Sequence, residues 1–212
     1  MKKLIYISWI LILPLLSGCL RLDANLFNNS KIDSYQLENY KGYRDISIDT
    51  LYNIADSLVN VFSLNSKGNT IYAIYIGDLS KIKSDTVIMY CHGNKDHMDM
   101  YWPRQKLLAN VGHKNKYGVL SVDYRGYGMS EGNPTEEGLY EDVNTALEWL
   151  KSQGLSDDRL ILYGFSLGSA PATQLSAEPR SLTPMKLILE APFANAETMK
   201  STETIILSVQ AM

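Results

Sequence analysis

One pentapeptide constrains this chain more than any other stretch: Gly164-Phe165-Ser166-Leu167-Gly168. A short apolar run, Leu160 to Tyr163, leads into it, and a small-residue segment compatible with a helix follows. The pattern predicts a strand that turns sharply into a helix, with serine at the corner. At such a corner a Cβ two residues to either side would collide with the neighbouring strand or helix, which accounts for glycine at both places. A serine held on a strained corner is a candidate nucleophile. The alternative is a glycine-rich turn that merely contains serine, because the five-residue pattern alone is loose.

The rest of the chain bounds what that corner can belong to. With 212 residues, 45% hydrophobic and 20% charged, it can bury the core of a single globular domain. A net charge of −3 supplies no basic face, which argues against a nucleic-acid partner. Two cysteines, Cys19 and Cys91, do not make a disulfide framework.

The N-terminus reads as a targeting segment. Lys2 and Lys3 precede an apolar run from Leu4 to Leu16 interrupted only by Ser8 and Pro14. That run is shorter than the ~20 residues of a membrane-spanning helix. It ends in Leu16-Ser17-Gly18-Cys19, which resembles the lipobox of bacterial lipoproteins. The resemblance implies cleavage before Cys19, a diacylglycerol on its thiol, and a location in the cell envelope, on the periplasmic face or cell surface. An ordinary signal peptide or uncleaved anchor with an incidental cysteine is the alternative. Leu20 stands where, in Gram-negative sorting, an aspartate would argue for inner-membrane retention; its absence leans to the outer membrane but leaves open which membrane holds the chain. Residues 1–18 are therefore a signal peptide, and 19–57 a tether and N-terminal extension lying on the domain.

From Leu58 the pattern turns to strands. Leu58 to Leu64, a turn at Asn65 to Gly68, and Thr70 to Ile76 predict a hairpin. Asp85 to Cys91 is a near-continuous apolar run, as in a strand buried on both faces. A helix over Met100 to Val111 and a strand over Tyr117 to Asp123 follow. Asn133 as N-cap, Pro134 at the first helical position and Glu136 at the third predict a helix ended by Gly154. Pro171 should delay or bend the helix after Ser166, and Leu187 to Phe193 reads as another strand.

Four motifs in order carry a family resemblance: His92-Gly93-Asn94 after one strand, Asp123-Tyr-Arg125-Gly126-Tyr-Gly128-Met-Ser130 after the next, the Ser166 pentapeptide, and Glu190-Ala-Pro192-Phe193. Together they resemble α/β-hydrolases of the esterase, lysophospholipase and serine-aminopeptidase branch over residues 58 to 195. The resemblance implies an α/β fold: a mostly parallel sheet with helices on both faces, here over 58–212 and lacking the last two strands. It also implies Ser166 as nucleophile and the N–H groups of Asn94 and Leu167 as an oxyanion hole. His92 would hold its loop, and Asp123 and Arg125 would brace the loops beneath the oxyanion turn. His97, a few residues beyond, could face the pocket, and His113 would lie away from it. Cys91 should pack as a small buried hydrophobe. No cofactor or metal is called for: the spacing fails a dinucleotide-binding pattern at Glu131, and no phosphate-binding loop is present.

One absence limits the resemblance. In that family the acid and histidine of the triad follow the serine, on loops after two further strands. The chain's three histidines are His92, His97 and His113, and none follows Ser166. Glu178, Glu190, Glu197 and Glu203 are the carboxylates beyond it, and none follows a further strand. The sequence thus reads as a lipid-anchored serine hydrolase of ester, thioester or amide bonds, cut off before its base and inactive as written. Acyl-type small molecules or lipids would be substrates of the complete form. The alternative is a non-catalytic pseudoenzyme or envelope binding module. The tail from Lys200 to Met212 reads as a helix, the start of a lid or out-of-frame sequence.

Overall fold

A computed structural model describes residues 26–42 and 52–192 of the chain. The expected signal peptide, Cys19 and the segment after Pro192 lie outside the described residues. The elements in order are β1 (Asn28–Asn29), β2 (Val59–Ser66), β3 (Asn69–Ile76), β4 (Val87–Cys91), β5 (Lys95–Asp96), α1 (Trp102–Asn110), β6 (Gly118–Asp123), α2 (Glu136–Ser152), β7 (Leu160–Phe165), α3 (Ser169–Ala177) and β8 (Lys186–Glu190).

Six strands form one sheet in the order β2-β3-β6-β4-β7-β8. β3 runs antiparallel to β2 and β6, and the remaining pairs are parallel. The hairpin is longer than its sequence suggests. Its strands pair through Ser66 and Asn69, leaving only Lys67 and Gly68 in the turn. Both have positive φ, the condition for a tight turn that matches the strands' twist.

Side-chain alternation builds two cores, one on each face of the sheet. On one face Ile71, Ala73, Tyr75, Val87, Met89, Leu120, Val122, Leu160 and Leu162 meet Leu139, Val143, Ala146, Leu147 and Leu150 of α2 and Ala172 and Leu175 of α3. On the other, Ile74, Ile76, Ile88, Tyr90, Val119 and Ile161 meet Trp102 and Ala109 of α1. Helices therefore cover both faces. β4, β6 and β7 carry apolar side chains on both faces because both are buried, as the continuous apolar runs require.

α2 starts later than Asn133 and Pro134 suggest. Thr135 is its N-cap, with extended backbone and a hydroxyl accepting from Gly138 N–H at 3.0 Å. Pro134 instead packs on the 123–130 loop: a Cβ at Gly126 would lie 2.6 Å from Pro134 Cδ. At the other end Gly154, with φ +92, closes the helix as expected.

The topology fixes where the loops meet. From β4 the chain crosses through α1 to β6 on one side, then through α2 to β7 on the other. The carboxyl ends of β4 and β7 thus lie side by side at a switch point, where sheets of this kind bind ligands. Their register pairs Cys91 with Gly164, which sets His92-Gly93-Asn94 beside Ser166.

Candidate active site

The Ser166 corner is built by steric exclusion. β7 ends at Phe165 in extended backbone, and Ser166 has φ +49, the left-handed region that costs a non-glycine residue roughly 1–2 kcal/mol. One 3-10 turn over Ser166–Gly168 precedes α3, so Pro171 falls in the first turn of a helix that begins late. A Cβ at Gly164 would lie 2.7 Å from the Gly168 carbonyl oxygen and 2.7 Å from Ser169 Cα. A Cβ at Gly168 would collide with the carbonyl of Cys91. Both glycines are there because backbone passes where a side chain would be. The Ser169 hydroxyl donates to the Ser166 carbonyl at 2.6 Å and ties down the turn. Ser166 is half-buried, and its hydroxyl has no hydrogen-bond partner among the described residues.

The loop after β4 packs directly on this corner. A Cβ at Gly93 would lie 2.8 Å from Tyr101 Oη and 3.1 Å from the Phe165 ring. Asn94 follows, and its side chain is fully engaged. Oδ1 accepts from the Asn28 N–H at 2.9 Å and from Tyr127 Oη at 2.8 Å, while Nδ2 donates to the Leu26 carbonyl at 2.5 Å. Leu167 is buried in the first turn after the corner, where N–H groups have no carbonyl one turn back to accept them.

The imidazoles are occupied elsewhere. His92 is fully buried and stacked between Tyr124 and Tyr101, with centroids 4.4 and 5.1 Å away. Its Nδ1 meets the Gly93 carbonyl at 2.8 Å, and its Nε2 lies 3.2 Å from Asp123 Oδ1, off the line of a hydrogen bond. It holds its loop. His97 is buried with its ring edge-on to Tyr40 at 5.2 Å, and it makes no hydrogen bond to Ser166. His113 is exposed beyond α1. All three histidines are described, and none hydrogen-bonds Ser166. Among the acids, Glu190 accepts from Tyr163 Oη at 2.6 Å and pairs with Arg104, whose guanidinium stacks 4.5 Å over the Phe165 ring. Glu178 is exposed beyond α3, and Glu197 and Glu203 lie outside the described residues.

Asp123 braces the site as expected. Its Oδ1 accepts the Met98 N–H at 2.8 Å, and its Oδ2 accepts from Tyr35 Oη at 2.6 Å. A Cβ at Gly128 would strike that carboxylate, so the second glycine of the motif is required. Arg125 acts elsewhere than expected. It donates to Asp142 and Glu141 of α2 and to Ser66 Oγ, so it pins the helix and hairpin rather than the oxyanion turn. A Cβ at Gly138 would lie 2.5 Å from Arg125 Cδ, so glycine there leaves room for the side chain against α2.

Burial governs the titrating groups here. It pushes the Cys91 thiol up to about 12, which leaves it a neutral packing group, and pushes the Tyr101 hydroxyl up to about 12. Burial, reinforced by Asp123 beside it, holds the Tyr35 hydroxyl far above its usual range, so it stays a donor. Among the described residues no three of His, Cys, Asp and Glu gather to hold a metal, and no helix is long and apolar enough to cross a membrane.

The sequence reading missed the partners from the N-terminal segment. Tyr35, Asn28 and Leu26 reach groups 66 to 88 positions away, and nothing local in a polar stretch signals that.

Comparison with known proteins agrees with this geometry. The profile of the serine aminopeptidase S33 family matches residues 82–211, more than half of the chain. Two curated relatives are each described as lysophosphatidylserine lipase ABHD12. That of Danio rerio is 39% identical over 119 residues, and that of Gallus gallus 38% over 120. Each match covers 53% of this chain and 29% of the relative, so the chain spans under a third of their length. An α-β hydrolase from Vibrio vulnificus superposes with a TM-score of 0.58 at 19% identity, over 84% of this chain and 66% of that one.

Proposed function

This chain belongs to the serine aminopeptidase S33 family, with the α/β-hydrolase fold, and from that premise we propose that it is built as a lipid-anchored serine hydrolase. Ser166 is the nucleophile, and the N–H groups of Asn94 and Leu167 receive the oxyanion. The bond cleaved is an ester, thioester or amide of an acyl group. The relatives' description as lysophosphatidylserine lipases favours a lipid ester among these. The carrying observation is Ser166 at φ +49, with its hydroxyl unpartnered among the described residues and both flanking glycines packed against backbone. Strain of that kind is retained where a side chain must be displayed.

A serine hydroxyl needs a base to attack an acyl carbon at neutral pH. None of the three imidazoles of residues 1–212 supplies one, and removing the base costs ~10⁴–10⁶ in turnover. On this reading residues 1–212, assayed alone, are expected to hydrolyse esters no faster than an oxyanion hole alone permits. That observation also favours a second reading, a non-catalytic envelope binding module. A fluorophosphonate probe tests both. Slow labelling, equal in wild type and Ser166→Ala, is expected of residues 1–212. Strong labelling abolished by Ser166→Ala would show a base and overturn the inactive reading.

Anchoring through Cys19 is part of the proposal, supported by Lys2, Lys3 and the run ending at Cys19. Two or three acyl chains hold a protein where one does not. Mass spectrometry of the mature N-terminus should find a diacylglyceryl cysteine. An unmodified Cys19, or a chain still beginning at Met1, would remove the anchor from the reading.

A further inference from the structure

We propose that the N-terminal segment Leu26–Asn39 is a positioning element of the candidate site, holding the oxyanion loop through the side chain of Asn94. The inference rests on the reading of the Asn94 N–H as one arm of the oxyanion hole.

Tyr124 and Asp123 hold the loop between β4 and α1 at His92 and Met98, but the stretch between them, Asn94 to Asp96, exchanges hydrogen bonds with the N-terminal segment. Its two-residue strand β5 finds its ladder partner in β1, with Asn28 opposite Lys95 and Asn29 opposite Asp96. Asp96 sits at φ +63, so the loop depends on outside contacts to keep a strained path. At Asn94 three hydrogen bonds converge on one side chain, two from the segment and one from Tyr127. A side-chain amide fixed at both ends fixes its Cα–Cβ direction, and through it the peptide plane that carries the N–H. An oxyanion donor is useful only when held in advance where charge will develop.

The segment is itself secured independently of Asn94. Gly128 donates its N–H to the Ser30 carbonyl at 2.8 Å, and its own carbonyl accepts from Ile32 N–H at 3.1 Å. Lys31 Nζ donates to the Ser130 carbonyl at 2.5 Å, and Tyr35 to Asp123. Further along, the Asp99 carboxylate accepts the N–H groups of Gln36 and Leu37 at 2.8 and 2.9 Å. Glu38 closes the far end on Lys106 and Trp102 Nε1. The strap is thus moored to the two loops that flank the candidate site and to α1. The segment also packs Phe27, Tyr35 and Leu37 against the two cores. Beyond that cover, main-chain groups of Leu26 and Asn28 both meet one side chain, that of Asn94.

Hydrogen exchange followed by mass spectrometry on the full chain in detergent tests this. Asn28→Pro removes the donor to Asn94 Oδ1. It should speed exchange of peptides covering 92–99 about tenfold, with β4 and β7 peptides unchanged. Glu38→Gln weakens the distant mooring without touching Asn94 and should leave 92–99 within about twofold. Tyr127→Phe deletes one hydroxyl and gives the same local readout if Asn28→Pro loses protection everywhere. Unchanged exchange at 92–99 in Tyr127→Phe and in a folded Asn28→Pro would overturn the proposal. So would Glu38→Gln matching Asn28→Pro, because a strap that only covers the fold would respond alike at both ends. The readout needs no turnover, so failure of the hydrolase reading and failure of this one remain distinguishable.

Discussion

The two edges of the sheet are written in different languages. β2, at one edge, alternates: Phe62, Leu64 and Ser66 turn inward, while Val61, Ser63 and Asn65 face solvent. β8, at the other, reads Lys186-Leu-Ile-Leu-Glu190, apolar on both faces, yet Leu187, Ile188 and Leu189 are 36%, 36% and 38% exposed. Among the described residues β8 has a neighbour on one side only, β7. Alternation is the pattern of a strand with one wet face, and continuous apolarity that of a strand covered on both. β2 is composed as an edge. β8 is composed as an interior strand, and an exposed apolar edge is a template for association.

The largest effect should fall between these edges, where backbone meets backbone. Gly168→Ala would drive a Cβ into the Cys91 carbonyl, where no flexible side chain can yield. We expect a loss of about 4 kcal/mol or more, enough to unfold a domain of ordinary stability. Chemical denaturation showing a loss below ~1 kcal/mol would mean that the seam between the Ser166 corner and the loop after β4 is not tight.

At the β8 edge, residues 20–212 expressed without lipid should associate, and Leu187→Lys with Leu189→Lys should restore a monodisperse monomer. Light scattering after size exclusion reads this directly. Equal association with and without the two lysines would erase the distinction between the edges.

Truncating apolar side chains sharpens the contrast. Phe62 packs on Trp149 at 4.5 Å between centroids, so Phe62→Ala should cost about 2 kcal/mol, reduced from the fully buried range by its partial exposure. Leu189→Ala, already half in water, should cost under ~1 kcal/mol. Urea melts of both variants give the two numbers, and equal losses would contradict the asymmetry.

The smallest effect reports how far a loose β8 propagates. Cys91 lies two strands in, and burial raises its thiol from near 9 to about 12. Between those values the unfolded chain gives up a proton that the folded chain keeps, so stability falls as pH rises above about 9. Cys91→Ala should flatten part of that decline, and Cys91 should resist alkylation at pH 8 until the protein is denatured. Fast alkylation of the native protein would show that looseness at the edge reaches the centre.

What the sequence determined by itself is what adjacent residues encode. The Ser166 corner was legible because its requirement, no Cβ two residues to either side, is met inside five positions. The strand β4 was legible because burial on both faces leaves a near-continuous apolar run, and β3 because the Asn65–Gly68 turn announces a hairpin. The α2 start was misplaced by two residues because Asn133-Pro134 reads locally as a cap and first turn, whereas the hydroxyl that caps the Gly138 N–H is that of Thr135. Pro134 is taken up by packing on the 123–130 loop, which adjacent residues do not announce. Tertiary structure alone decided what holds the loop after β4. Arg125 could have braced either loop or helix, and the direction of its side chain depends on α2 returning beside it. Asn28 and Leu26 meet Asn94 only because the chain passes back across the sheet's carboxyl edge. A hydrogen bond between groups 66 positions apart leaves no periodicity behind, since its geometry is a property of the closed fold and not of either segment.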